Sequence, residues 1–190
     1  MKGLPTISAY ILCGGKSLRM GEDKGLVLWQ GKPMIEWIIE AIKPITQKIH
    51  LVTKNQAYGR FDLPLLEDLY PDKGPVGGIF TSLLNTDTLW NLILSCDVPN
   101  ISSGTLLELI EETIESQAPI GILSDGQFDY PLIGLYSKGS VDEFEKSLLE
   151  GKLKLCPLVN SLIPKKLLIS SQRRSELANV NTKEDLIKLM

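Results

Sequence analysis

The chain has 190 residues, of which 43% are apolar and 23% are charged, a composition typical of one globular domain with a sizeable core. Its net charge of −3 argues against broad nucleic-acid binding, which usually requires a basic surface. A small basic pocket for phosphates stays compatible with this charge. We therefore expect a single domain over residues 1–190.

The three cysteines, Cys13, Cys96 and Cys156, are widely separated and form no CxxC pair. This odd, dispersed set excludes a disulfide framework and a zinc motif, and it favours a reducing cytoplasm. Each cysteine is expected to be a small buried apolar residue. No apolar stretch approaches the roughly 20 residues that a helix needs to span a bilayer. The sequence thus predicts a cytoplasmic protein that binds neither membranes nor nucleic acid.

Apolar runs that predict strands alternate with segments whose apolar residues recur every three or four positions, which predicts helices. In chain order we predict a strand at 7–12, a helix at 32–42, strands at 49–53 and 65–67, a helix at 77–86, a strand at 91–96, a helix at 102–116, strands at 119–124 and 131–136, a helix at 139–149 and a C-terminal helix capped by Thr182. This alternation predicts an α/β domain with three layers, α/β/α, around a mostly parallel sheet.

Two polar motifs follow predicted strands. The stretch LCGGKSLRMGEDKG, residues 12–25, begins where the first strand ends, and CDVP, residues 96–99, ends the strand at 91–96. In sheets of this kind ligands bind beyond the carboxyl ends of the strands. We expect both motifs to face one crevice.

The glycine-rich loop fits neither common phosphate-binding motif. Tyr10 stands where a P-loop requires glycine, and no GxGxxG occurs here. Its composition still indicates phosphates, because Gly14 and Gly15 let an anion approach backbone N–H groups. Arg19 can form paired hydrogen bonds with phosphate oxygens, and Lys24 adds a point charge. Taken alone, the loop also fits a solvated turn with a basic face.

Carboxylates follow two of the predicted strands. Asp97 follows a buried strand, and a carboxylate there suits Mg²⁺ when phosphates supply the other ligands. Asp68 follows the strand at 65–67 and could bind a base or ribose. The alternatives are a turn-capping role for Asp97 and a solvated turn for Asp68. GPVGG, residues 74–78, is a second glycine-rich turn that permits close approach of a ligand.

The ordered set LCGGKSLRMGEDK, LLED, GPVGG, CDVP and NVNT resembles the molybdenum cofactor guanylyltransferases, which make molybdopterin guanine dinucleotide. The first motif is shared with other nucleotidyltransferases, whereas CDVP combined with NVNT is more specific. The two glycines after Leu12 and Cys13 look like the guanylyl branch, since the cytidylyl branch more often has LAAG. The resemblance implies a nucleotide-diphospho-sugar transferase-like, Rossmann-like fold.

The resemblance also implies roles for individual residues. GTP would be bound by Leu12, Cys13, Gly14, Gly15, Lys24, Thr53, Asp68 and Asp97. The catalytic residues would be Arg19, Lys24 and Asp97, with Asp97 holding Mg²⁺. The pterin substrate would lie near Asn179, Asn181 and Lys154. Thr53 stands where the family often has an asparagine for base recognition, with Asn55 two residues on, and Cys13 replaces the usual alanine.

The implied reaction is a direct attack of the terminal phosphate of molybdopterin, or of its molybdenum form, on the α-phosphorus of GTP. Cofactor-delivery proteins and molybdoenzyme chaperones are further candidate partners. The alternatives are cytidylyl transfer to the same pterin, nucleotidyl transfer to a sugar phosphate, and a non-catalytic nucleotide- or pterin-binding module. The joint presence of Arg19, Lys24 and Asp97 argues against the last.

Overall fold

The computed structural model describes residues 4–14 and 23–188. Its strands are β1 Ile7–Leu12, β2 Leu28–Trp29, β3 Lys32–Pro33, β4 Ile49–Val52, β5 Leu65–Leu66, β6 Trp90–Ser95, β7 Ile120–Ser124, β8 Asp129–Ser137 and β9 Lys165–Leu168. Its α-helices are α1 Met34–Ile42, α2 Gly74–Leu84, α3 Ser103–Ser116, α4 Val141–Leu149, α5 Leu155–Ser161 and α6 Lys183–Lys188. Across the described residues, no helix has the length and apolar character needed to cross a membrane.

One seven-stranded sheet organises the chain, in the order β5-β4-β1-β6-β8-β7-β9. β1 pairs in parallel with β4 and with β6, and β9 pairs in parallel with β7. β8 is antiparallel to both of its neighbours, so the mostly parallel prediction holds with one exception. The exception follows from the connection, because the four residues 125–128 between β7 and β8 suffice for a hairpin but not for a parallel crossover.

The predicted three layers are confirmed by the way the core divides. Alternate residues of a strand point to opposite faces, and β1 sends Ala9 and Ile11 to one face and Tyr10 to the other. α1 and α3 pack on the first face, whereas α2, α4 and α5 pack on the second. The sheet is therefore buried on both sides, which explains its nearly continuous apolar strands.

The helix boundaries differ from the predictions in identifiable ways. α1 begins at Met34 rather than at 32, because β3 pairs with β2 in a small hairpin. α2 begins at Gly74, three residues earlier than predicted. The predicted Thr182 cap is confirmed, since Thr182 Oγ1 accepts from Asp185 N at 3.2 Å. Ser102 caps α3 in the same way, by accepting from Thr105 N at 3.1 Å. α5 and β9 were not predicted.

The strand order places a crevice in the sheet. From β1 the chain moves to β4 and β5 on one side and then crosses to β6 on the other. At such a switch point the connections leave in opposite directions, which opens a ligand-binding crevice beyond the strand ends. The crevice lies at the carboxyl ends of β1 and β6, where the sequence predicts the site.

Candidate active site

The glycine loop and the CDVP motif begin side by side. Leu12 and Ser95 are register partners at the ends of β1 and β6. The ladder continues one residue further, since Cys13 N donates to Val52 O at 3.0 Å and Cys96 N donates to Leu12 O at 3.3 Å. The two motifs therefore leave the sheet together, as predicted.

Lys24 and Asp97 meet at this edge of the sheet. Lys24 begins a 3₁₀ helix at Lys24–Leu26, and its Nζ lies 3.3 Å from Asp97 Oδ2. The Asp97 residue is only 8% exposed, and Ser95 Oγ donates a hydrogen bond to its other carboxylate oxygen. Two of the three residues predicted to be catalytic are thus in contact. Arg19 and Gly15 lie outside the described residues.

The NVNT motif joins this pair from the far end of the sequence. Lys24 Nζ donates to Asn181 Oδ1, although 157 positions separate the two residues. The buried Val180 donates its backbone N–H to Asp97 O at 2.9 Å. This backbone hydrogen bond fixes the segment carrying Asn179 and Asn181 directly against the CDVP motif.

An ion-pair network attaches the segment that precedes the NVNT motif to α3. Glu176 accepts hydrogen bonds from Ser102 N, at 3.0 Å, and from Thr105 Oγ1, and it is paired with Arg173 at 3.3 Å. Burial acts to raise the pKa of Glu176, but the hydrogen bonds from Thr105 and Ser102 lower it overall, so this carboxylate stays charged. The network therefore helps to place Asn179 and Asn181.

A cavity of about 370 Å³ opens next to Asp97. Lys154 and Asn179, two of the residues predicted to lie near the pterin, both line it. Ser95 and Val98, on either side of the Cys96–Asp97 pair, form the wall nearest the site. The residues predicted to lie near the pterin are therefore in two places, because Asn181 contacts Lys24 instead of lining this cavity.

Asp68 is not the solvated turn residue of the alternative interpretation. Its Oδ1 accepts from Tyr70 N and from Thr81 Oγ1, both at 2.9 Å, so the carboxylate closes its own turn and binds α2. A Cβ at Gly77 would lie 2.8 Å from Tyr70 O, and one at Gly78 would lie 3.2 Å from the Leu12 side chain. These glycines thus allow close packing within the chain itself. Nucleoside binding by Asp68 stays a prediction.

Thr53 is buried at the end of β4, where its Oγ1 accepts from Asn55 N at 3.1 Å. Asn55 caps the 3₁₀ helix Gln56–Phe61 by accepting from Ala57 N at 3.0 Å, and it donates to Asp23 Oδ2 at 3.3 Å. Both side chains therefore hold local structure. A contact of Thr53 with the base stays a prediction.

Two of the three cysteines match the prediction of buried apolar residues. Cys13 and Cys96 are buried, and burial raises the pKa of Cys13 well above its ordinary value, so its thiol stays protonated and is a poor nucleophile. Cys156 departs from the prediction, since it is exposed in the first turn of α5 and lines the 370 Å³ cavity.

The donor groups near Asp97 suit Mg²⁺ only when a nucleotide is present. Within residues 4–14 and 23–188, no group of three or more His, Cys, Asp or Glu side chains could hold a metal ion. Asp97 offers hard carboxylate oxygens, and a triphosphate would supply the others. Mg²⁺ prefers this arrangement, because it usually binds through one or two carboxylates plus substrate phosphates and water. The residues present therefore fit the ion.

Gly14 offers a test of phosphate binding that leaves the fold intact. Among residues 4–14 and 23–188, a Cβ there would meet nothing within 4 Å, and its φ lies outside the left-handed region. Gly14→Ala should therefore leave the melting temperature of the nucleotide-free protein unchanged or slightly raised. Its methyl group would occupy the space where phosphates are predicted to approach the backbone, so stabilisation by GTP in a thermal-shift assay should fall.

The matched control for this test is Gly104→Ala. Gly104 lies in the first turn of α3, and within the described part of the chain its Cβ would meet only Ser102 Oγ, at 3.8 Å. This variant should keep the full GTP-induced shift. A full shift in Gly14→Ala as well would exclude binding of phosphates over the glycine loop.

Comparison with known proteins relates this site to a family. A family model described as a MobA-like NTP transferase domain matches residues 9–163. A probable molybdenum cofactor guanylyltransferase from Flavobacterium johnsoniae is 42% identical to the chain over 96% of both sequences. A molybdenum cofactor guanylyltransferase from Serratia proteamaculans is 31% identical, over 96% of this chain and 93% of the relative.

Solved structures share the fold. Molybdopterin-guanine dinucleotide biosynthesis protein A from Archaeoglobus fulgidus superposes with a TM-score of 0.82 and 23% identity, over 96% of each chain. CMP:2-keto-3-deoxy-manno-octonic acid synthetase, solved with CTP, superposes with a TM-score of 0.71 and 15% identity, again over 96% of each chain. These similarities confirm the predicted nucleotide-diphospho-sugar transferase-like fold.

Proposed function

Because the chain belongs to the family of MobA-like NTP transferase domains, we propose that it transfers GMP from GTP to molybdopterin or to its molybdenum form. The products would be molybdopterin guanine dinucleotide and pyrophosphate. The resemblance to molybdenum cofactor guanylyltransferases read from the sequence is confirmed by relatives that match over nearly the full length.

The observation that carries the proposal is the meeting of three distant motifs on Lys24. Its ammonium contacts Asp97 of CDVP and Asn181 of NVNT, at the switch point of the sheet. A sugar-phosphate nucleotidyltransferase would need the glycine-rich loop and CDVP. The contact with Asn181 adds NVNT, the motif that makes the resemblance to the guanylyltransferases specific. This contact favours the pterin acceptor over a sugar phosphate.

The proposed reaction is an in-line displacement at the α-phosphorus of GTP. An oxygen of the acceptor's terminal phosphate forms the new P–O bond, and the bond to the leaving pyrophosphate breaks. Such a transfer needs positioning and charge neutralisation rather than a covalent nucleophile. Lys24 would place its positive charge on the phosphate oxygens, and Arg19 would add a second cation.

Asp97 would hold Mg²⁺, and the bound ion would neutralise negative charge on the phosphate oxygens. The chain orients this carboxylate from two sides. Ser95 Oγ donates to one oxygen, and Lys24 Nζ contacts the other. In the free protein Lys24 thus compensates the charge of a carboxylate that is almost completely buried, and the phosphates of the nucleotide would compete for the same ammonium.

The cavity beside Asp97 is the proposed acceptor site. Lys154 would contact the acceptor's phosphate, and Asn179 would hydrogen-bond the acceptor near the reacting centre. The cavity shares Ser95 with the surroundings of Asp97, so an acceptor bound there would lie next to the nucleotide phosphates. Cofactor-delivery proteins and molybdoenzyme chaperones stay predicted partners that would collect the product.

A thermal-shift panel with GTP, CTP, ATP and UTP, each with and without Mg²⁺, tests the nucleotide. A ligand present at 100 times its dissociation constant stabilises the folded protein by about 2.7 kcal/mol, which is about 5–11 °C for a chain of this size. We expect this shift with GTP and Mg²⁺. A larger shift with CTP would move the assignment to the cytidylyl transfer reaction, and binding without pyrophosphate release in the presence of the pterin would favour a binding module.

A further inference from the structure

A fully buried tyrosine holds the residue that precedes Lys24. Tyr58 lies in the 3₁₀ helix Gln56–Phe61, and its hydroxyl donates to Asp23 Oδ1. Asn55, the cap of the same 3₁₀ helix, donates to Asp23 Oδ2 at 3.3 Å. Both carboxylate oxygens of Asp23 are therefore bound by one short segment that is remote in sequence from the glycine loop.

The residue that follows Lys24 is fitted to the same tyrosine. A Cβ at Gly25 would lie 2.5 Å from Tyr58 Oη and 3.3 Å from Cys96 Cβ, so only glycine leaves room for the hydroxyl to reach Asp23. Tyr58 thus contacts both neighbours of Lys24 in the chain, one through a hydrogen bond and the other through close packing. The backbone of Lys24 is held on both sides by a single side chain.

The hydroxyl of Tyr58 acts as a permanent donor. Burial raises the pKa of Tyr58 far above its ordinary value, and the nearby Cys96, Cys13 and Asp23 act in the same direction. The phenol therefore stays protonated at any pH at which the protein is folded. A buried hydroxyl needs a partner, and Asp23 is the acceptor that this one has.

We propose that Tyr58 is a positioning residue for GMP transfer, which fixes Asp23 and thereby aims the Lys24 ammonium at the nucleotide phosphates. The inference rests on the proposed function. A lysine side chain has a flexible four-carbon stem, so a fixed backbone reduces the range of positions that the ammonium can occupy. Tyr58 itself contacts Asp23, one residue away from the group that binds substrate.

The first test is Tyr58→Phe, which removes one oxygen and keeps the buried ring. We expect kcat/KM for GTP to fall about 10- to 100-fold, the size of effect that follows when a catalytic group is slightly misplaced. The matched control is Tyr10→Phe, because Tyr10 is also fully buried and its hydroxyl lies near Thr86 and Ser8 instead of Asp23. Tyr10→Phe should keep the wild-type kcat/KM, even where the two variants lose similar melting temperature.

A double-mutant cycle separates positioning from a general loss of structure. Because Tyr58 acts through Asp23, Tyr58→Phe should cost little further activity in a protein that already carries Asp23→Ala. Losses that multiply in the double variant, or equal kcat/KM for Tyr58→Phe and Tyr10→Phe, would overturn the proposal.

The wild type in the same assay decides the proposed function separately. If it releases no pyrophosphate from GTP with the pterin present, the proposed function fails. The positioning role is then decided by the thermal shift that the best nucleotide of the panel produces. That shift should be smaller in Tyr58→Phe than in Tyr10→Phe, and equal shifts would overturn the role of Tyr58.

Discussion

Asp97→Asn is expected to lower GMP transfer by at least about 1,000-fold, in keeping with the loss of a group that organises charge around a reacting phosphate. Asparagine keeps the shape of the side chain and an oxygen that can accept from Ser95 Oγ. It removes the negative charge that faces Lys24 at 3.3 Å and that would hold Mg²⁺. Initial rates of pyrophosphate release at saturating GTP would measure the effect.

The chain offers a matched control for this variant. Lys48 and Asp87 form a second lysine–aspartate pair at 2.8 Å, in which the aspartate side chain is 74% exposed. Asp87→Asn should leave turnover unchanged, because exposed ion pairs contribute little and this one lies outside the site. More than a tenth of wild-type turnover in Asp97→Asn would contradict the role given to Asp97.

Lys24→Met is expected to lower kcat by about 100- to 10,000-fold while the protein stays folded. Methionine keeps much of the aliphatic length and removes the ammonium that contacts Asp97 and Asn181. Since Lys24 is proposed to bind the phosphates and not the base, the preference for GTP over CTP should not change. Single-turnover rates with each nucleotide would separate the chemical step from binding.

Lys48→Met provides the corresponding control for Lys24, and it should retain wild-type kcat. Lys24→Arg should restore only part of the rate, because a planar guanidinium cannot replace a compact ammonium between Asp97 and Asn181. A Lys24→Met variant that turns over normally but loses its preference for guanine would assign Lys24 to the base instead of the phosphates.

The strands and the position of the site could be predicted from local pattern. The run ISAYIL and the run NLILS are continuous apolar stretches, and a sheet buried on both faces requires such stretches in its central strands. Both runs are followed by polar motifs, and in sheets of this kind ligands bind beyond the carboxyl ends of the strands. A crevice shared by the two motifs could therefore be predicted. The contact between Asp97 and Lys24 shows that the two motifs do meet at these strand ends.

Other features depend on contacts that no local pattern encodes. α5 has seven residues, LCPLVNS, and a helix that short is stable only through its packing against the rest of the fold. The hydrogen bond from Val180 to Asp97 joins backbone atoms, which carry no signature in the side-chain sequence. Tyr58 lies in the mixed stretch QAYGRF, and only the structure reveals that it is buried and reaches Asp23.

The hydrogen bond from Val180 to Asp97 also sets the order in which the site is completed during synthesis. Domains emerge from the ribosome with the N-terminal part first. A nascent chain that has released β1, β6 and CDVP carries Lys24 and Asp97 but lacks Asn181, which accepts a hydrogen bond from the Lys24 ammonium. The site therefore forms only after residue 181 has left the exit tunnel, by which time α3, to which the segment before NVNT is attached, has already been made. An unfinished chain would thus lack part of the proposed GTP site.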